Sequence, residues 1–247
     1  MTDAMRAETI TIAGDGGTEI EAYLAKPLDE QPRGGVVVIH HMPGYDAATK
    51  EIVRKFAVNG YNALCPNLYS REAPGADPDD AAAAARALGG VPDDRLVGDV
   101  DGAATYLKGL DNANGKIGVI GYCSGGRQTF LAACSLQIDA AVDCYGAFVV
   151  NDPPAQMPPT MKPILGLAPR LSCPLLGLFG ADDQYPTPDE TAKLADELNR
   201  LGKDHEFHTY DGAGHAFFSV DRPSYRPEAA KQGWQRVFEF FGKNLAR

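Results

Sequence analysis

The residues best suited to chemistry form one short run, Gly121-Tyr122-Cys123-Ser124-Gly125-Gly126. It follows Lys116-Ile-Gly-Val-Ile120, which reads as a short buried strand, and precedes a helical pattern from Ser124 to about Cys134. A nucleophile between two glycines at this junction fits the G-x-nucleophile-x-G elbow, here with cysteine in the usual serine position. The spacing has a steric cause. The residues two before and two after the nucleophile pack closely, so both are small, and here they are Gly121 and Gly125. Cys123 then lies at a helix N-terminus, where the helix dipole and free N–H groups favour thiolate over thiol. The next N–H, that of Ser124, can donate to an oxyanion. Ser124 is itself the local rival nucleophile. Its own neighbours at minus two and plus two are Tyr122 and Gly126, and Tyr122 is too large for that packing. The bland alternative for Cys123 is an inert buried thiol in a tight turn.

A nucleophile of this kind needs a base, and the base needs an orienting acid, in the chain order nucleophile, acid, histidine. Phe179-Gly180-Ala181-Asp182-Asp183 follows a strand pattern, so its carboxylates fall at the strand's C-terminal end, the edge where open α/β sheets bind ligands. Asp183, three residues after the glycine, is the expected acid, and Asp182 is expected to point elsewhere. Gly212-Ala213-Gly214-His215-Ala216-Phe217 follows the last strand, and its small residues let a loop carry His215 over the same edge. His205 and His208 fall within that strand and read as packing or surface residues. In the expected chemistry His215 keeps Cys123 deprotonated and later protonates the leaving alcohol, while Asp183 fixes its tautomer.

The elements that must position these residues alternate between strand-like and helix-like periods, which implies a parallel sheet covered by helices on both faces. Glu8–Ala13 and Glu19–Ala25 read as an opening hairpin around Gly14–Gly17. Strands are expected at Gly35–His41, Tyr61–Cys65, Lys116–Ile120, Asp139–Tyr145, Pro174–Phe179 and His205–Tyr210. Helices are expected at Ala47–Val58, stopped by Asn59-Gly60, at Pro78–Leu88, at Asp93–Lys108, after Thr187 and at Glu228–Leu245. Thr187, Pro188 and Glu190 spell a capping box. Ser70–Pro92 and the proline-rich stretch Asn151–Ser172 are less regular, and the first reads as a loop over a site.

The 247 residues suit one α/β domain spanning 1–247. A net charge of −10 repels phosphate backbones, so nucleic acid is not an expected partner. No cationic leader with an apolar run opens the chain and no stretch of about 18 apolar residues occurs, so a cytoplasmic protein without a membrane partner is expected. Five cysteines without C-x-x-C spacing fit reduced thiols, with room for one reactive thiol among them.

Together these motifs resemble the dienelactone hydrolase family, also called carboxymethylenebutenolidases, over nearly the whole chain. The resemblance rests on Gly121–Gly126, the Asp183 segment, Gly212–Phe217, Arg222-Pro-Ser-Tyr-Arg-Pro-Glu228, and Gly60-Tyr61 leading to Cys65-Pro66-Asn67-Leu68-Tyr69. It implies an α/β-hydrolase fold with a mostly parallel central sheet. It also implies a thiol-dependent hydrolase of a small-molecule ester or enol-lactone, with no metal and no organic cofactor. By the same resemblance Met42 supplies a second oxyanion N–H and Tyr145 lies near the site. Two positions depart from the family's pattern. His41 stands where members carry a glutamate thought to exchange a proton with the thiol. Ser219 stands where they carry a substrate-binding arginine. Arg71, Arg95, Arg127 and Arg222 are left as unranked candidates for a substrate carboxylate.

Three other readings are weaker. A metallohydrolase would use His40, His41, Asp183 and His215, but neighbouring strand residues point to opposite faces and no metal-ligand spacing supports it. A redox sensor or ligand-binding protein with Cys123 as a reactive thiol needs neither Asp183 nor His215. Gly109 to Lys116 lacks the spacing and the following helix of a nucleotide-binding loop.

Overall fold

The computed structural model describes residues 4–154 and 161–246, so the centre of the proline-rich stretch, residues 155–160, lies outside the described residues. Eight strands form one sheet in the order β1-β2-β4-β3-β5-β6-β7-β8. They are β1 (Met5–Ala13), β2 (Glu19–Pro27), β3 (Arg33–Ile39), β4 (Asn62–Pro66), β5 (Ala113–Tyr122), β6 (Ala140–Cys144), β7 (Leu175–Gly180) and β8 (His205–Tyr210). β1 and β2 pair antiparallel, as do β2 and β4, and every other pair is parallel. The sheet is therefore mostly parallel, the architecture of an α/β-hydrolase fold.

The helices are α1 (Ala47–Val58), α2 (Pro78–Ala87), α3 (Asp93–Lys108), α4 (Ser124–Ser135), α5 (Pro188–Arg200) and α6 (Pro227–Leu245). α1 and α6 cover one face through Val53, Phe56, Val237 and Phe241. α2 to α5 cover the other through residues such as Ala82, Leu96, Leu107, Phe130 and Leu194. Because both faces are covered, Val36 to Ile39 of β3 are all fully buried, which explains a continuous apolar run in place of alternation. Local signals set the helix ends. Asp46 caps α1 by accepting the Thr49 N–H, and Gly60 takes φ +90° just beyond its end. The Thr187–Glu190 capping box starts α5.

β3 stops at Ile39, two residues short of the expected His41. The His40 ring takes over polar contacts there, accepting the Leu68 N–H on Nε2 while Nδ1 donates to the His41 carbonyl. Burial pushes His40 down to about 4, so it is neutral. β5 starts three residues earlier than expected because Ala113 pairs with Arg33 before an irregularity in the register.

This topology matters for function. The parallel strands all end at one edge, and the loops there carry Met42, Cys123, Tyr145, Asp183 and His215. The chain moves outward from β3 to β4, then returns to the other side of β3 with β5. The loops after β3 and β5 thus flank the switch point where open α/β sheets bind ligands.

One buried charge ties the opening hairpin to this scaffold. Asp99 of α3 is fully buried, takes two hydrogen bonds of 2.8 Å from Arg71, and accepts the Asp15 N–H at 2.8 Å. Removing one partner of such a pair leaves an uncompensated charge. Arg71→Met should therefore cost about 3–5 kcal/mol in urea unfolding. Removal of the exposed Arg6, paired with Glu8 at the surface, should leave the midpoint unchanged within error.

Candidate active site

The site is organised by a steep turn. Cys123 lies between β5 and α4 with φ +59° and ψ −120°, a conformation that L-residues rarely adopt. Two close approaches enforce it. A methyl group added to Gly121 would lie 2.0 Å from the Gly125 carbonyl oxygen, and one on Gly125 would lie 2.4 Å from that of Ile39. The Cys123 N–H donates to the Cys144 carbonyl at 3.0 Å, anchoring the turn to β6. Ser124 is the first residue of α4, so the helix leaves its N–H unused.

Asp183 follows β7, is buried, and accepts the Tyr185 N–H at 2.9 Å on one oxygen. Its other oxygen lies 2.9 Å from His215 Nδ1. The neighbouring Asp182 is exposed. His215 lies on the loop after β8, close to Cys123. Burial alone disfavours its imidazolium, but the hydrogen bond to Asp183 and the neighbouring Cys123 outweigh that and push His215 up to about 10. The three residues are thus in one chain of contacts. Tyr145 is buried with φ +44°, and its ring stands edge-on to His215 at 5.1 Å between centroids.

The other thiols differ sharply in setting. Burial pushes Cys134 and Cys173 up to about 12 and raises Cys65 and Cys144 strongly as well. A neutral thiol is the stable form at each of these four positions.

Cys123, Asp183 and His215 line a cavity of about 400 Å³, together with Met42 and Ser124. Phe148, Tyr185 and Met161 give it largely apolar walls. Phe148 and Tyr185 were not singled out by sequence reasoning, since no motif marks them. Of the four candidate arginines, Arg127 alone is among the lining residues, and its guanidinium is already held by Asp93 at 2.9 Å and by the Lys162 carbonyl at 2.7 Å. Arg71 is paired with Asp99 and Arg95 with Glu72, while Arg222 is exposed.

His41 is not among the lining residues of this cavity. It pairs with Asp46 (Nε2 to Oδ2, 2.6 Å) and lines a second cavity with Ser219 and Tyr145. The four residues of the metallohydrolase reading do not converge. His40 is engaged by Leu68 and the His41 carbonyl, His41 by Asp46, and Asp183 by His215. Among the described residues no group of three or more His, Cys, Asp or Glu side chains is arranged to hold a metal ion. His205 and His208 turn to the Lys203 carbonyl and to Glu206, away from the site. No described helix is long and apolar enough to cross a membrane.

Comparison with known proteins places these features in a family. The model of the dienelactone hydrolase family matches residues 20–245. A Methylorubrum extorquens protein provisionally named a carboxymethylenebutenolidase is 34% identical over 225 residues, 90% of this chain and 76% of that one. The carboxymethylenebutenolidase of Pseudomonas putida is 29% identical over 241 residues, 96% of each chain. A crystal structure of a provisionally named dienelactone hydrolase from Klebsiella pneumoniae superposes with a TM-score of 0.86 at 29% identity, covering 98% of this chain and 100% of the other.

The elevated His215 has a definite sign. Its imidazolium persists through neutral pH, so any stability it contributes is present below the unfolded value of about 6.5 and lost as pH rises through about 10. Iodoacetamide at pH 7 should alkylate Cys123 ahead of the four cysteines at which burial favours the neutral thiol, as read by peptide mapping. In His215→Gln, which removes the neighbouring cation, alkylation of Cys123 should be about tenfold slower. Equal rates in the two proteins would contradict the coupling.

Proposed function

The chain belongs to the dienelactone hydrolase family and is a hydrolase, and from that premise we propose that it cleaves an ester or enol-lactone with Cys123 as nucleophile. The observation that carries this reading is His215, hydrogen-bonded to a buried carboxylate and lining one largely apolar cavity together with Cys123.

In the proposed reaction the Cys123 thiolate attacks the carbonyl carbon. A C–S bond forms and the π pair moves to oxygen, where the N–H groups of Ser124 and Met42 receive the charge. Collapse of this intermediate breaks the C–O bond. His215, as imidazolium, gives its proton to the leaving oxygen, which in a lactone stays tethered to the acyl group. Water then attacks the thioester while His215 takes its proton. The C–S bond breaks, the acid departs, and thiolate and imidazolium are restored. Asp183 holds Nδ1 protonated and so presents Nε2 to the chemistry.

The cavity also bears on substrate class. Its walls are largely apolar, the one candidate arginine among its lining residues is already neutralised by Asp93, and Asp182 adds a carboxylate to the lining. Recognition therefore depends mainly on the apolar body and the electrophilic carbonyl of the substrate.

Steady-state hydrolysis of a chromogenic aryl ester and of an enol-lactone tests the assignment. Cys123→Ala should lower kcat by about 10,000-fold or more, and Asp183→Asn by about 1,000- to 10,000-fold. Full turnover by folded Cys123→Ala would sink the proposal.

A further inference from the structure

The oxyanion of the proposed reaction takes two N–H donors, and only the one on Ser124 is held by a helix. The other belongs to Met42, in the loop between β3 and α1. Met42 lines the thiol cavity with Cys123 and Ser124, and its N–H has no hydrogen-bond partner among the described residues. A peptide unit is planar, and in the trans form its N–H points opposite to its C=O. The His41–Met42 peptide is trans. Whatever fixes the His41 carbonyl therefore fixes the direction of the Met42 N–H.

Two donors converge on that carbonyl. The Gly44 N–H reaches it at 2.9 Å and closes a tight turn, and His40 Nδ1 reaches it at 2.9 Å. The tautomer of His40 follows from its other contact. Nε2 accepts the Leu68 N–H at 3.2 Å, so in the neutral imidazole the proton sits on Nδ1 and is donated. His40 is 2% exposed, and Tyr69 stands edge-on to its ring at 4.7 Å between centroids. Tyr69 also donates its hydroxyl to the Met42 carbonyl at 3.0 Å, which holds the next peptide along. The His40 backbone touches the elbow as well, since a methyl on Gly125 would lie 2.9 Å from its carbonyl oxygen. A carbonyl with two donors is polarised, and the N–H at the other end of its peptide becomes a stronger donor.

We propose that His40 is a positioning residue for the hydrolysis, its Nδ1–H holding the His41–Met42 peptide so that the Met42 N–H is fixed in place for the oxyanion. The inference rests on the reaction proposed for Cys123 and adds a residue to it. His40 is not among the residues lining the thiol cavity, so it acts through the peptide alone.

Two substitutions separate the two hydrogen bonds of the ring. Asparagine brings an amide nitrogen to the place of Nδ1 and can donate to the His41 carbonyl. Glutamine reaches the place of Nε2, where its amide oxygen can accept the Leu68 N–H, and leaves the carbonyl one donor short. With a chromogenic aryl ester, His40→Gln should lower kcat about 10- to 100-fold and change KM by less than about threefold, because both acyl-transfer steps lose the same donor geometry. His40→Asn should stay within about threefold of the parent, the restored donor keeping the geometry. Phenyl trifluoromethyl ketone, to whose carbonyl the Cys123 thiolate adds to leave an alkoxide, should bind His40→Gln more weakly by the same factor as the loss in kcat. Iodoacetamide, whose reaction with Cys123 forms no oxyanion, should alkylate both variants at the parent rate. His40→Leu also lacks the donor and carries the same expectation, should the glutamine variant not fold. Parent-like kcat in His40→Gln, equal losses in the glutamine and asparagine variants, unchanged ketone affinity, or slowed alkylation would each overturn the proposal. Turnover that survives Cys123→Ala would instead remove the underlying reaction, and it is read on a different variant.

Discussion

Cys123 occupies a backbone conformation that costs an L-residue on the order of 1–3 kcal/mol, and the surrounding structure is what holds it there. α4 packs so close to β3 and β5 that only hydrogen fits on Gly121 and Gly125. That contact lifts the Cys123 side chain clear of the sheet edge and starts a helix directly behind it. The first N–H groups of α4, which have no partners within the helix, lie at the same turn. A bulkier residue at Gly121 would force β5 and α4 apart, one at Gly125 would force α4 away from β3, and either would displace the sulfur from its place beside His215. The same logic recurs at Gly180, where an added methyl would lie 2.3 Å from the Ala213 carbonyl, so the loops bearing Asp183 and His215 are also brought together by a missing side chain.

Steric closeness becomes chemistry through electrostatics. The protein holds five cysteines, yet burial favours the neutral thiol at four of them. Cys123 alone shares its cavity with a histidine stabilised as a cation by a buried carboxylate. The rest of the thiol cavity is largely apolar, which weakens competition from water and strengthens these few polar contacts.

Much of this was legible in the sequence because it is local. The elbow is a spacing rule with a steric cause, and the stop of α1 at Gly60 and the capping box of α5 are short-range hydrogen-bond patterns. Asp183 could be separated from Asp182 by its distance from Gly180, and the structure puts the first against His215 and leaves the second exposed in the lining of the same cavity. What could not be read depends on partners far apart in the chain. The arginines were unranked because Asp99, Glu72 and Asp93 lie 23 to 34 residues from Arg71, Arg95 and Arg127. His41 was noticed as a departure from the family's pattern, but its pairing with Asp46 follows from the chain turning back to start α1, a turn closed by the Gly44 N–H on the His41 carbonyl. The second cavity joins residues from six parts of the chain and leaves no local signature.

The central claim is that acyl transfer passes through sulfur on Cys123. The direct measurement is to mix the enzyme with an excess of an aryl ester, quench in acid within a turnover, and locate the acyl group by fragmentation of the peptide spanning Cys123 and Ser124. The account predicts an acyl mass on Cys123 that neutral hydroxylamine removes, as it does a thioester. Acylation of Ser124, or turnover with no acyl group on Cys123 at any time, would contradict it.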